Sequence, residues 1–145
     1  MDKLTVERRS ANMRQIRSKD TSPELALRRL IHRLGYRFRL HRNDLPGKPD
    51  LVFPSRRKAI FVHGCFWHQH PGCREGRVPQ SRREYWQLKL SKNQQRDAAA
   101  QASLKLLGWH FLIVWECELT DNLAVVKAVK QFLEPATQPS RKGKR

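Results

Sequence analysis

Lys58-Ala59-Ile60-Phe61-Val62-His63 runs directly into Gly64-Cys65-Phe66-Trp67-His68-Gln69-His70-Pro71-Gly72-Cys73. The first six residues are mostly apolar and read as a buried strand. The next ten carry two cysteines, two histidines and two large aromatics, with neither a helical nor a strand period. The irregular stretch continues to residue 80. A segment of that length inside a small chain is functional or cross-linked. A core strand that ends in chemistry therefore sets the frame for everything around it.

Upstream, Asp50-Leu51-Val52-Phe53 is a short strand, and Pro54-Ser55-Arg56-Arg57 turns the chain, so 50–63 predicts a hairpin. Before it, Tyr36, Phe38 and Leu40 alternate with Arg37 and Arg39, as in a half-buried strand. Thr21-Ser22-Pro23-Glu24 fits a capping box, and Leu27, Leu30, Ile31 and Leu34 follow at helical spacing until Gly35. Downstream, 81–107 reads as a helix with a break near Ser91, and Gly108 fits its C-terminal cap. Trp109-His110-Phe111-Leu112-Ile113-Val114-Trp115 is a central-type strand, and Asp121 to Leu133 a last helix. The alternation predicts an α/β fold with a mixed sheet.

The 145 residues suit one domain. Residues 1–20 form a basic arm, 21–134 the folded domain, and 135–145 a basic tail expected to be disordered. Thirty Lys+Arg against 13 Asp+Glu give a net charge of +17, which points to a polyanionic partner, foremost nucleic acid. No run is long enough for a membrane span, and the N-terminus has no signal-peptide pattern, so a cytoplasmic location is expected.

Three cysteines, Cys65, Cys73 and Cys117, argue against a disulfide framework. With a histidine they make a tetrahedral zinc donor set that ties the irregular loop to the end of the last strand. His68 lies three residues after Cys65 and His70 three before Cys73, so spacing leaves the fourth ligand open between them.

Pro49-Asp50 at a strand start, with a second strand following, is the frame of a large nuclease class, in which the carboxylate holds Mg²⁺. That class carries Asp/Glu-x-Lys on the second strand. Here the slot is Phe61-Val62-His63, which lacks the second acid and has histidine in place of lysine. Glu24 and Asp97 are the other candidate acids.

The segment Phe61 to His68 resembles the signature of the very short patch repair (T:G mismatch) endonucleases. The likeness extends in order through Asn12-Met13-Arg14, Leu45-Pro46-Gly47-Lys48-Pro49-Asp50, Tyr85-Trp86, Lys92-Asn93, Arg96-Asp97, Leu107-Gly108-Trp109 and Val114-Trp115-Glu116-Cys117. The resemblance implies a restriction-endonuclease-like three-layer fold with a central mixed sheet and a structural zinc site. It also implies a Mg²⁺-dependent DNA endonuclease that nicks one strand 5′ to the T of a T:G mismatch. By position, Asp50 would bind Mg²⁺ with the carbonyl of Val62, and His68 would be the general base or position the water. His63 would contact the phosphate, Asp97 would orient a histidine or the hydrated metal, and Glu24 would hold water on the metal. Cys65, His70, Cys73 and Cys117 would bind Zn²⁺. Phe66 and Trp67 would wedge beside the mismatch from one groove, with Trp86 of the next segment also binding DNA, while Met13, beside Arg14, enters from the other. The partner would be double-stranded DNA bearing T:G, met by a monomer, with mismatch-repair proteins as further candidates. Two alternatives are a restriction-type or mobile-element nuclease of the same fold, and a zinc-stabilised DNA-binding module without catalysis.

Overall fold

The computed structural model describes residues 21–40 and 42–134. The arm with Met13 and Arg14, and the tail from residue 135, lie outside the described residues. The elements are α1 (Ser22–Arg33), β1 (Leu51–Phe53), β2 (Lys58–His63), α2 (Arg83–Leu106), β3 (His110–Trp115) and α3 (Asn122–Leu133).

The sheet runs β1-β2-β3. β1 pairs antiparallel with β2, and β2 pairs parallel with β3 from Lys58↔His110 to His63↔Trp115. The mixed sheet expected from the sequence is therefore present. Side chains of β2 and β3 alternate between two clusters, as strand geometry requires. On one face Ile60 and Val114 join Leu27, Leu30 and Ile31 of α1 and Val125, Val129 and Leu133 of α3. On the other face Ala59, Phe61, Phe111 and Ile113 meet Leu104 of α2 and Trp109. Helices thus cover both faces, and the C-terminal ends of the parallel strands are left to the loop 64–80.

Local chemistry explains the boundaries. Thr21 caps α1, its hydroxyl accepting from the Glu24 N–H at 3.5 Å. At the end of α2 the N–H of Trp109 reaches back to Leu104 O and that of Gly108 to Lys105 O, a Schellman closure. Gly108 has φ +84, which glycine adopts without steric cost. Leu104 and Trp109 then pack together in the second cluster.

Two expectations differ from the structure. The stretch 36–40 is not a strand: only Arg39 bridges, exchanging both backbone bonds with Val52 at 2.9 and 3.0 Å. Its burial alternates as expected, from buried Tyr36 to exposed Arg37. However, β1 is three residues long and offers too short an edge for a ladder. α2 is one unbroken helix of 24 residues through Ser91. Serine costs a helix only a few tenths of a kcal/mol more than alanine, too little to break it without a glycine or proline. No helix of the described residues is long and apolar enough to cross a membrane.

Candidate active site and metal centre

Two clusters of functional side chains sit where β2 and β3 end. The first lies in a cleft of about 460 Å³ lined by Glu24, Lys48, Asp50, Val62, His63, His68, Arg96 and Asp97. Four parts of the fold contribute: α1 gives Glu24, the approach to β1 gives Lys48 and Asp50, β2 and the loop after it give Val62, His63 and His68, and α2 gives Arg96 and Asp97.

Asp50 is held at both ends. Its N–H donates to Ile60 O at 3.1 Å, and its Oδ2 accepts from the Val62 N–H at 2.6 Å. A strand residue points its N–H and C=O to the same side, so the Val62 carbonyl faces this edge too, beyond Leu51, the first residue of β1. Burial pushes the Asp50 carboxyl up from 3.8 to about 7; the Val62 N–H opposes that shift, while the neighbouring Glu24 carboxylate adds to it. Two carboxylates crowded at a half-buried edge are costly as a pair of bare charges. A divalent cation removes that cost, so the donors present fit a hard cation. Glu24 also accepts from Arg28 at 3.3 Å, one turn along α1. Its capping position and its place in the cleft are compatible, because the cap uses its backbone N–H and the cleft its carboxylate.

Across the cleft, His68 Nδ1 lies 2.6 Å from Asp97 Oδ2. An imidazole that donates Nδ1–H to a carboxylate carries its lone pair on Nε2 and accepts a proton there. His63 stacks on His68 with ring centroids 3.7 Å apart and planes 9° apart. His63 is buried, and its Nδ1 has no hydrogen-bond partner. Burial, then the neighbouring His68, push its imidazole down from 6.5 to about 4.

The second cluster is Cys65, His70, Cys73 and Cys117, whose ligand atoms all lie within 4.8 Å of one another. His70 Nδ1 is 3.7 Å from Cys65 Sγ and 3.4 Å from Cys117 Sγ. The His70 ring stacks on Trp115 at 4.3 Å. All three thiols are free of disulfides. Burial pushes the Cys65 thiol up to about 12 and also raises that of Cys117. Three sulfurs and one imidazole at this spacing fit a tetrahedral soft cation, which stabilises the thiolates that burial disfavours. The choice left open by spacing is thus decided: His70 faces the sulfurs, and His68 faces Asp97.

The aromatics named from the sequence gather in one place. Phe66, Trp67 and Trp86 pack edge-to-face at 5.2, 5.5 and 6.0 Å between centroids. Trp86 is 2% exposed and Trp67 9%, so only Phe66 of the three shows substantial surface here. Lys48 and Arg96 line the cleft with no role foreseen for them. Their adjacency to Asp50 and Asp97 was the only available signal.

The family model described as "DNA mismatch endonuclease Vsr" matches residues 1–74. The type II nicking enzyme V.XorIIP of Xanthomonas oryzae pv. oryzae is 53% identical over 93% of this chain and 98% of its own length. The DNA mismatch endonuclease Vsr of Escherichia coli K12 is 47% identical over 81% of this chain and 73% of its own. The type II nicking enzyme V.NmeAIP of Neisseria meningitidis is 38% identical, covering 83% of this chain and 86% of its own.

Proposed function

The chain belongs to the DNA mismatch endonuclease Vsr family and is a DNA endonuclease, and from that premise we propose that it nicks one strand 5′ to the T of a T:G mismatch in a Mg²⁺-dependent reaction. The observation that carries this proposal is that the Asp50–Glu24 carboxylate pair and the His68–Asp97 pair line one cleft. One wall is suited to a hard cation and the other to a proton. The fold would be of the restriction-endonuclease type, with the mixed sheet between two helix layers.

Asp50, with the Val62 carbonyl and Glu24, would hold Mg²⁺, and a cation bound there supplies Lewis acidity to the phosphate. His68 takes a proton from the attacking water at Nε2, and Asp97 keeps the tautomer that leaves Nε2 able to accept it. His63, stacked beneath His68, fixes the plane of that ring and contacts the phosphate. Cys65, His70, Cys73 and Cys117 hold Zn²⁺ and so anchor the loop that bears His68. The +17 charge supports DNA as the partner. Phe66, backed by the buried Trp67 and Trp86, would open the step beside the mismatch with Met13 of the arm, where unstacking costs less than in paired DNA. A monomer suffices to nick one strand.

A strand-labelled cleavage assay with Mg²⁺ on matched and T:G duplexes tests this. Nicking of the T strand at T:G with little cutting of the matched duplex is expected. Equal cutting of both duplexes would remove mismatch specificity. Binding without cutting would favour a zinc-stabilised DNA-binding module.

A further inference from the structure

The nuclease frame read from the sequence lacks one part. Where the class carries a lysine on the second strand, this chain has His63, which is buried and stacked on His68. A phosphodiester entering the cleft meets the carboxylates of Glu24, Asp50 and Asp97, and a phosphoryl transition state carries more negative charge than its ground state. A bound cation answers part of that charge. The cleft end of β2 supplies no ammonium for the rest, since Lys58 lies at the strand's other end and donates to Phe132 O at 2.6 Å.

The cleft holds two cations that come from elsewhere. Lys48 sits two residues before Asp50 with φ +49, in the left-handed region that lysine rarely adopts. The neighbouring loop cannot easily move. A side chain at Gly47 would lie 3.0 Å from Ala100 Cβ and 3.1 Å from the Phe61 ring, so the backbone there is seated flush against α2 and β2. A non-glycine residue kept in a strained conformation on a pinned loop at a site marks a constraint worth its cost. On α2, one turn before the Ala100 that Gly47 abuts, Arg96 donates to Asn93 Oδ1 at 2.5 Å, and buried Asn93 donates from Nδ2 to Trp67 O at 3.3 Å. That tether engages one edge of the guanidinium and leaves further donors on a group lining the cleft.

We propose that Lys48 and Arg96 are catalytic residues that grip the scissile phosphate together and supply the positive charge that the cleft end of β2 does not. This rests on the endonuclease reading above but not on the mismatch preference. The two residues differ in kind. Arg96 is aimed by Asn93 and by the loop of the aromatic cluster, whereas Lys48 is aimed by its own backbone.

The test uses the full-length, zinc-loaded protein and whichever duplex the wild type cuts best, so a failure of mismatch specificity leaves it readable. Lys48→Gln and Arg96→Gln remove the charge and keep a polar, somewhat shorter side chain; zinc content and melting temperature report their folding. Single-turnover cleavage at saturating enzyme should fall about 10²-fold for each, as for loss of one preorganised donor to a developing charge, with DNA affinity changed by less than about 3-fold. Arg96→Lys should recover part of the rate. If affinity weakens and its salt dependence flattens while the saturated rate stays at the wild-type value, the two are ordinary DNA-binding cations and the proposal is overturned.

Discussion

The metal-fitting cluster and the catalytic cleft hang from the ends of the same two strands, yet they are built on different plans. The cluster takes three of its four donors from one nine-residue stretch, Cys65 to Cys73, and closes them with Cys117 at the far end of β3. Its donors face one another and little else. The cleft gathers single residues from α1, the approach to β1, the loop after β2, and α2, and it stays open on a volume of about 460 Å³. Closed sites of soft donors hold structure, whereas sites that keep a face open do chemistry. Here the first plan fixes the loop that carries His68 and so serves the second.

Removing one closing donor is the most damaging way to break this division. Cys117→Ser, or stripping metal with a chelator, should abolish nicking and lower the melting temperature by more than about 10 °C, read by thermal denaturation and metal analysis. A metal-free protein that stays folded and active would show that the cluster does not support the cleft.

Asp50→Asn should separate the two regions. Nicking should drop at least about 10³-fold with the zinc content unchanged, because the carboxylate that fits the catalytic cation is gone. Stability should move the other way. An acid raised from 3.8 unfolded to about 7 folded costs the protein nothing below 3.8, lowers its stability as pH climbs towards 7, and holds that cost constant above. The Mg²⁺-free Asp50→Asn protein should therefore melt a few degrees higher than wild type at pH 8 and at the same temperature below pH 4. Added Mg²⁺ should stabilise wild type and leave the variant unchanged.

Asp97→Asn tests the cleft's proton wall alone. Loss of the 2.6 Å carboxylate partner should cost about 10²-fold in rate with DNA affinity and zinc unaltered, and the pH–rate profile should shift. Phe66→Ala should have the smallest effect, about a 10-fold loss of preference for T:G over matched duplex in competitive cleavage, since the aromatic cluster lies outside both plans.

The same contrast explains what was legible in the sequence. Local patterns survive folding: α1, the hairpin, β3 and α3 stand within about a residue of their expected bounds, because helical spacing, caps and Gly35 and Gly108 act over one turn. The cysteine set was readable because rare residues crowded one stretch. Spacing did not separate His68 from His70, since each lies three residues from a cysteine and only the turn of the loop decides which ring faces sulfur; the family likeness named His70. The 36–40 stretch misled because alternation reports burial, whereas a strand also needs an edge to pair with, and β1 supplies one bridge. Glu24 had a sufficient local explanation as a capping residue, so residue pattern alone made it only a candidate, and its place beside Asp50 came from the family likeness. Lys48 and Arg96 lie inside the segments of family likeness, beside Asp50 and Asp97, but among 30 Lys and Arg only three-dimensional proximity brings the two to one cleft.

The parallel pairing of β2 with β3 has a consequence in time. His63 cannot meet Trp115, nor Cys65 meet Cys117, until the whole of α2 has been made and folded back across the sheet. Closing so long a loop is entropically slow, and its reward comes only at the end. During synthesis the earlier donors emerge first as an incomplete trio, and the histidine stack has no wall behind it. Until residue 117 is made, the loop that bears His68 is without its fourth soft donor and His63 without the Trp115 ring.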